Sequence, residues 1–330
     1  MKPDAKFLLK TEAGHRIGFG HVRRLLRIAR GLEERNCQVS FAVTELSNLT
    51  EMIPFSVIHL RDPKNLGNLA SEFDGIILDE PSISAKLLQE MKNFRLKIGI
   101  DELGCARELL DLHFCTTLLG LRSSEEKRGN THEFIGPKYF IFPEEDPCET
   151  ISREFLKILI SMGGTDPGEL CGKFLSGLFS EFKNAHNYQW YSILGPGYAD
   201  DYKARLVRTY PQIHWLDSQT SMNHLYASSQ AIVCCGGITP YEALKQGCLP
   251  LMLPQMQEQF ETASALNQLN LGVLFGTNDS INWNLFSSTL ESDSEEKRRL
   301  AEKNFKELIG EDPTSRVLDI ICDYAKHRSL

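Results

Sequence analysis

Lys6-Phe7-Leu8-Leu9, followed by Gly18-Phe19-Gly20-His21-Val22-Arg23-Arg24-Leu25-Leu26-Arg27-Ile28-Ala29-Arg30-Gly31-Leu32, is the stretch that decides the fold class. The short apolar run reads as a buried strand. After it, Val22, Leu25, Leu26, Ala29 and Leu32 recur at helical spacing, and the polar Glu33-Glu34-Arg35-Asn36 closes the helix. A strand, a glycine-bearing loop and an amphipathic helix make the first unit of a parallel α/β sheet.

The same alternation continues outward. Val39 to Val43, Val57 to Leu60, Gly75 to Leu78 and Leu96 to Ile100 read as further buried strands, and acidic residues follow two of them, at Asp79 and Asp101. From Thr131 to Glu149 the periodicity fails, with Pro137, Pro143 and the run Glu144-Glu145-Asp146-Pro147, which predicts a domain boundary. A second series then predicts strands at Lys157 to Ser161, Gln189 to Leu194, Ile213 to Leu216, Ala231 to Cys234 and Leu249 to Leu253. Helices are predicted over Gly168 to Phe182, Pro240 to Gln246 and Pro313 to His327. A chain of 330 residues exceeds one comfortable core. The expectation is two α/β domains, 1–148 and 149–330, with the terminal helix free to pack back on the first.

Composition narrows the function classes. With 36 Lys and Arg against 44 Asp and Glu, the net charge of −8 argues against a nucleic-acid partner. No apolar run nears the ~20 residues of a membrane span, and Met1 to Lys10 lacks the layout of a secretion signal, so a cytoplasmic chain is expected. The nine cysteines are scattered without Cys-x-x-Cys spacing, which suits reduced, buried thiols and no structural metal.

Three glycine-bearing loops can carry chemistry, each expected where a strand hands over to a helix, the place where parallel sheets bind ligands. Gly18-Phe19-Gly20-His21 lacks the third glycine of a dinucleotide fingerprint, where Arg23 stands instead. His21 would open the helix, where the dipole disfavours imidazolium and leaves a ring able to accept a proton; its alternative is a loop cap. Met162-Gly163-Gly164-Thr165-Asp166-Pro167 offers open backbone and a hydroxyl to a phosphate, and equally reads as a turn in which Asp166 caps a helix starting at Pro167. In Cys235-Gly236-Gly237-Ile238-Thr239-Pro240-Tyr241-Glu242 a helix start can receive a diphosphate, and Glu242 can accept both ribose hydroxyls or simply favour the first helical turn. The charged side chains of Val22 to Arg27 are expected on a solvated face. No Asp-x-Asp or Gly-x-Ser-x-Gly occurs, which favours chemistry without a metal or a serine nucleophile.

Taken in order, Gly18-Phe19-Gly20-His21, Ile100-Asp101, Gly136-Pro137-Lys138-Tyr139, Met162 to Pro167 and Gly236 to Glu242 resemble the UDP-sugar hydrolases of pseudaminic acid biosynthesis and their spore-coat polysaccharide relatives. The likeness runs from about residue 6 to about residue 275, and the Gly-Gly-x-Thr-x-x-Glu block is similar to that of the lipid II UDP-GlcNAc transferase. The resemblance implies two Rossmann-like domains facing across a cleft, the glycosyltransferase-B architecture, with no cofactor. It implies His21 as the catalytic base. Gly163, Gly164, Thr165, Gly236, Gly237 and Thr239 would face the diphosphate, Glu242 the ribose, and the backbone near Leu216 the uracil edge. Gly18, Gly20, Asp79, Asp101, Glu258 and Gln259 would surround the sugar.

This chain departs from the hydrolases at Glu258-Gln259, where they carry Asn-Gln, and at Asp79-Glu80-Pro81, where many carry Asp-His-Tyr. The leading expectation is hydrolysis of a UDP-sugar to free sugar and UDP. The alternatives are transfer of the sugar to a lipid or glycan acceptor, which would allow peripheral membrane contact, and a nucleotide-sugar-binding protein without turnover.

Overall fold

The computed structural model describes residues 4–10, 20–44, 53–79, 83–101, 104–118, 124–142, 153–217 and 222–328. The chain divides into two compact units: residues 1–117, 122–144 and 309–330 form the first, and 118–121 and 145–308 the second.

Among the described residues the first unit holds an eight-stranded sheet. Its strands are β1 (Lys6–Lys10), β2 (Gln38–Val43), β3 (Ser56–His59), β4 (Gly75–Asp79), β5 (Leu96–Ile100), β6 (Leu112–Cys115), β7 (Ser124–Arg128) and β8 (Thr131–Ile135). Their order is β3-β2-β1-β4-β5-β6-β8-β7, parallel throughout except for the terminal β7–β8 hairpin. Helix α1 (Gly20–Glu33) covers one face and α2 (Ala85–Met91) the other. Strands covered on both faces read as unbroken apolar runs, which is why Lys6 to Leu9 and Gly75 to Leu78 stand out in the sequence.

The expected irregular linker starting at Thr131 is corrected here, because Thr131–Ile135 is a strand paired with β6 and β7. Its polar content hides it. Glu133 is buried and is met by Arg107 and Arg128 at 3.9 and 3.6 Å, so a charge that reads as loop lies inside the sheet.

The second unit's main sheet contains β9 (Glu154–Ser161), β10 (Gln189–Leu194), β11 (His214–Asp217), β12 (Ser229–Cys234), β13 (Leu249–Met252) and β14 (Val273–Leu274). They lie in the order β11-β10-β9-β12-β13-β14, all parallel. Its helices are α3 (Leu170–Glu181), α4 (Asp200–Thr209), α5 (Met222–Ser228), α6 (Thr239–Lys245), α7 (Gln257–Gln268), α8 (Trp283–Ser288) and α9 (Ser294–Ile309). The last helix, α10 (Pro313–Arg328), belongs to the first unit. There its Leu318 packs so closely on α1 that a methyl group added at Gly31 would sit 2.2 Å from Leu318 Cδ1.

Both sheets therefore run outward in both directions from a central pair, β1/β4 in the first unit and β9/β12 in the second. At such a reversal of strand order the loops diverge to opposite faces and leave a crevice outside the carboxyl ends of the strands.

Candidate functional site

In the first unit the reversal point is occupied by charged side chains. His21 lies in the first turn of α1, about one quarter exposed, and its Nδ1 is 2.7 Å from Oδ1 of Asp79, the last residue of β4. Asp79 is fully buried. Arg24, one turn further along α1, donates from Nε to Asp79 Oδ2 at 2.7 Å and from a terminal nitrogen to Oδ1 at 2.5 Å. Its other terminal nitrogen bonds Asp101 and reaches the Thr116 hydroxyl at 3.4 Å. Asp101, in the left-handed conformation just after β5, accepts from the backbone N–H and hydroxyl of Thr116 at 2.7 and 2.9 Å.

The electrostatics of this chain of groups follow from burial and pairing. Burial alone would raise the Asp79 carboxyl, but the guanidinium of Arg24 and the bond to His21 outweigh it and hold it below its ordinary value. An ionised carboxylate can only accept, so the proton between the two groups sits on His21 Nδ1. In the neutral ring Nε2 is then the acceptor nitrogen, the arrangement by which a carboxylate orients a general base.

The solvated basic face expected along α1 is corrected at Arg24, which is buried and ties together the ends of β4, β5 and β6. Asp79 and Asp101, expected around the sugar, have carboxylates engaged by Arg24, His21 and Thr116. They hold the histidine and its helix in place. Gly20 is the first residue of α1. Gly18 lies outside the described residues.

In the second unit the reversal point is built of backbone. Gly163 and Gly164 follow β9, and Gly236 and Gly237 follow β12. Gly163 has φ +88°, and a side chain there would meet nothing within 4 Å, so the backbone faces open space. Gly236 does the opposite: an added Cβ would sit 2.0 Å from the carbonyl oxygen of Gln259, so only glycine lets the first turn of α7 rest on this loop. Thr165 and Leu216 are half-buried; Thr239 opens α6, and Glu242, one turn in, accepts from the buried Tyr226 hydroxyl at 3.2 Å.

Asp166 does not cap a helix at Pro167. Helix α3 begins at Leu170, and the Asp166 carboxylate accepts from the backbone N–H groups of Leu170 and Cys171 at 2.8 and 2.9 Å and from the Tyr202 hydroxyl at 2.9 Å. A fourth donor comes from Gln255, in the loop after β13, whose side-chain amide reaches Asp166 at 3.1 Å and the Met162 carbonyl at 3.4 Å. Gln259 accepts from the Gln255 backbone N–H at 2.9 Å, while Glu258 beside it is exposed. The loop after β10 completes the knot: Gly197 N–H donates to the Gly164 carbonyl at 2.8 Å, and a Cβ at Gly195 would lie 2.5 Å from that oxygen.

Sequence reading passed over Arg24, Thr116, Gln255 and Gly195. Arg24 had one available signal, its position one turn from His21 on the same helix face. The partners of the others come from distant segments and leave no local pattern.

No protein-family model matches the chain. It is 25% identical over 273 residues to the spore coat polysaccharide biosynthesis protein SpsG of Bacillus subtilis, covering 77% of this chain and 78% of that protein. Among solved structures it is similar to Arabidopsis thaliana UGT89C1 complexed with UDP-L-rhamnose, with TM-score 0.69, 12% identity and coverage of 97% and 99% of the two chains. It is also similar to Acinetobacter baumannii MurG, with TM-score 0.62, 13% identity and coverage of 96% and 99%. These likenesses show a two-unit α/β fold of the glycosyltransferase-B class.

Proposed function

We propose that this chain is an enzyme of polysaccharide biosynthesis that acts on a UDP-sugar, transferring the sugar to an acceptor hydroxyl with His21 as the general base. The observation that carries this reading is the His21–Asp79 pair at the reversal point of the first sheet, with the carboxylate buried and locked by Arg24. In this scheme Nε2 of His21 takes the acceptor proton as the oxygen attacks C1 of the sugar and UDP departs. The positive charge formed on the ring is balanced by Asp79.

The nucleotide is assigned to the second unit. Gly163, Gly164, Thr165, Gly236, Gly237 and Thr239 would receive the diphosphate on backbone N–H groups and hydroxyls, Glu242 the ribose, and the backbone at Leu216 the uracil. Glu258 and Gln259 would lie toward the sugar. The spore-coat relative and the solved glycosyltransferase-fold neighbours support transfer over the hydrolysis expected from the histidine loop, and water in place of the acceptor would give hydrolysis with the same proton transfer.

The test is UDP release from a panel of UDP-sugars, with and without glycan or lipid acceptors. Release that depends on an acceptor establishes transfer, and release into water alone establishes the pseudaminic-type hydrolysis. Turnover by His21→Ala equal to that of the unaltered protein sinks the role given to the histidine.

A further inference from the structure

The first unit contains a second chemically distinctive place, remote in sequence from the loops above. Cys37, just before β2, and Cys322, on α10, are 285 positions apart and belong to one buried cluster. Their thiols open on the same cavity and interact electrostatically with each other. That cavity is about 310 Å³, and its wall also carries Asp4, Asp319 and Asp323 with Arg35 and Lys326. The helices that bring them together are fixed independently: Arg35 pairs with Asp319 at 2.8 Å, and Gly31 admits Leu318 into direct contact with α1.

We propose that Cys37 and Cys322 are a reversible dithiol–disulfide site, oxidised by a small disulfide of the glutathione type that enters this cavity. The Cys37 thiolate attacks one sulfur of the small disulfide, forming a mixed disulfide and releasing one small thiol. Once Cys37 is a mixed disulfide its pairing with Cys322 is gone, and Cys322, passing its proton to the departing small thiolate, attacks Cys37 Sγ and closes the protein disulfide, releasing the second small thiol. The protein dithiol is oxidised by two electrons and the small disulfide is reduced by the same two; the protein's two thiol protons end on the two small thiols. The resulting bond staples α10 to the turn between α1 and β2.

Selectivity follows from the surroundings of the other thiols. The pairing with Cys322 and the charge of Lys326 lower the Cys37 thiol, while the same pairing and burial raise Cys322, so Cys37 is the sulfur that attacks first. Burial pushes Cys115, Cys171 and Cys248 up to about 12 and Cys235 to about 11, so these stay protonated. Thiolate fraction and access set which cysteine reacts first.

The experiment is incubation of the whole native protein with oxidised glutathione, alkylation of remaining thiols and peptide mass spectrometry. The expected product is a Cys37–Cys322 cross-linked peptide, reversed by dithiothreitol, formed about tenfold or more faster than any other protein disulfide. Cys322→Ser should instead retain one glutathione on Cys37, and the oxidised unaltered protein should melt higher than the reduced one. The proposal is overturned if both cysteines are still alkylated after oxidation. Separate glutathione adducts on each without a cross-link, or Cys37 joined to a different cysteine, would equally overturn it.

Discussion

The two sheets have the same strand order around their centres, yet they equip the equivalent place in different ways. At the β1/β4 reversal the first unit presents side chains: a histidine backed by a buried carboxylate, an arginine and a second carboxylate. At the β9/β12 reversal the second unit presents glycine backbone, braced from behind by Asp166, Gln255 and the Gly195 loop. A group that moves protons must be a side chain with an oriented lone pair, whereas a group that receives a diphosphate works best as bare backbone that can approach closely. On the proposed reading one topology supports two tasks, and the residues at the strand ends decide which.

The largest expected effect separates them directly. His21→Ala should lower turnover by about 10²- to 10⁴-fold while leaving UDP affinity, measured by calorimetry, within about twofold. Equal loss of both would break the division of labour between the units. Arg24→Leu should come next, destabilising the protein by about 3–5 kcal/mol in urea denaturation, because Asp79 is left buried without its cation. The double variant with Asp79→Asn should recover part of that loss, which marks the cost as the orphaned charge rather than lost packing.

Adjacent glycines sharpen the backbone half. Gly236→Ala drives a Cβ into the Gln259 carbonyl and should destabilise the second unit by about 1–3 kcal/mol and weaken UDP binding. Gly237→Ala meets nothing within 4 Å and should change stability by no more than about 0.5 kcal/mol. Similar melting curves for the two would show that α7 does not depend on this close approach.

The smallest effect is in pH dependence, and it belongs to the first unit. His113 is buried beside Glu133, and burial holds its imidazole below the ordinary histidine value of 6.5 despite the attraction of Glu133 and Asp101, with Arg107 adding to the lowering. The unfolded chain therefore takes up this proton first as pH falls, so the histidine's contribution is complete above about 6.5 and declines below it. The lowered Asp79 acts in the same direction in a lower window, its contribution intact above about pH 4 and lost beneath it. Thermal melts from pH 8 to 5 should decline less in His113→Phe than in the unaltered chain.

Much of this was legible from the chain alone. The buried parallel strands announce themselves because sheets covered on both faces need unbroken apolar runs, and the glycine loops because no other residue takes their place cheaply. Strand β8 escaped, since Glu133 makes an interior strand look like surface until Arg107 and Arg128 are placed beside it. Arg24 escaped for the same reason, as its three anchors lie at residues 79, 101 and 116. Gln255 is an ordinary loop glutamine until the loops after β9, β12 and β13 converge on it.

By itself the order of residues determined the α/β class, the two series of strands and the loops that can carry chemistry, because periodicity and glycine placement act over a few neighbours. Only the tertiary structure decided that α10 belongs with the first unit, that Asp79 holds His21 while Arg24 ties Asp79 to Asp101, and that Cys37 and Cys322 line one cavity. Those outcomes rest on pairings across 55 to 285 positions, and a charge or a thiol carries no local sign of the partner that folding will bring to it.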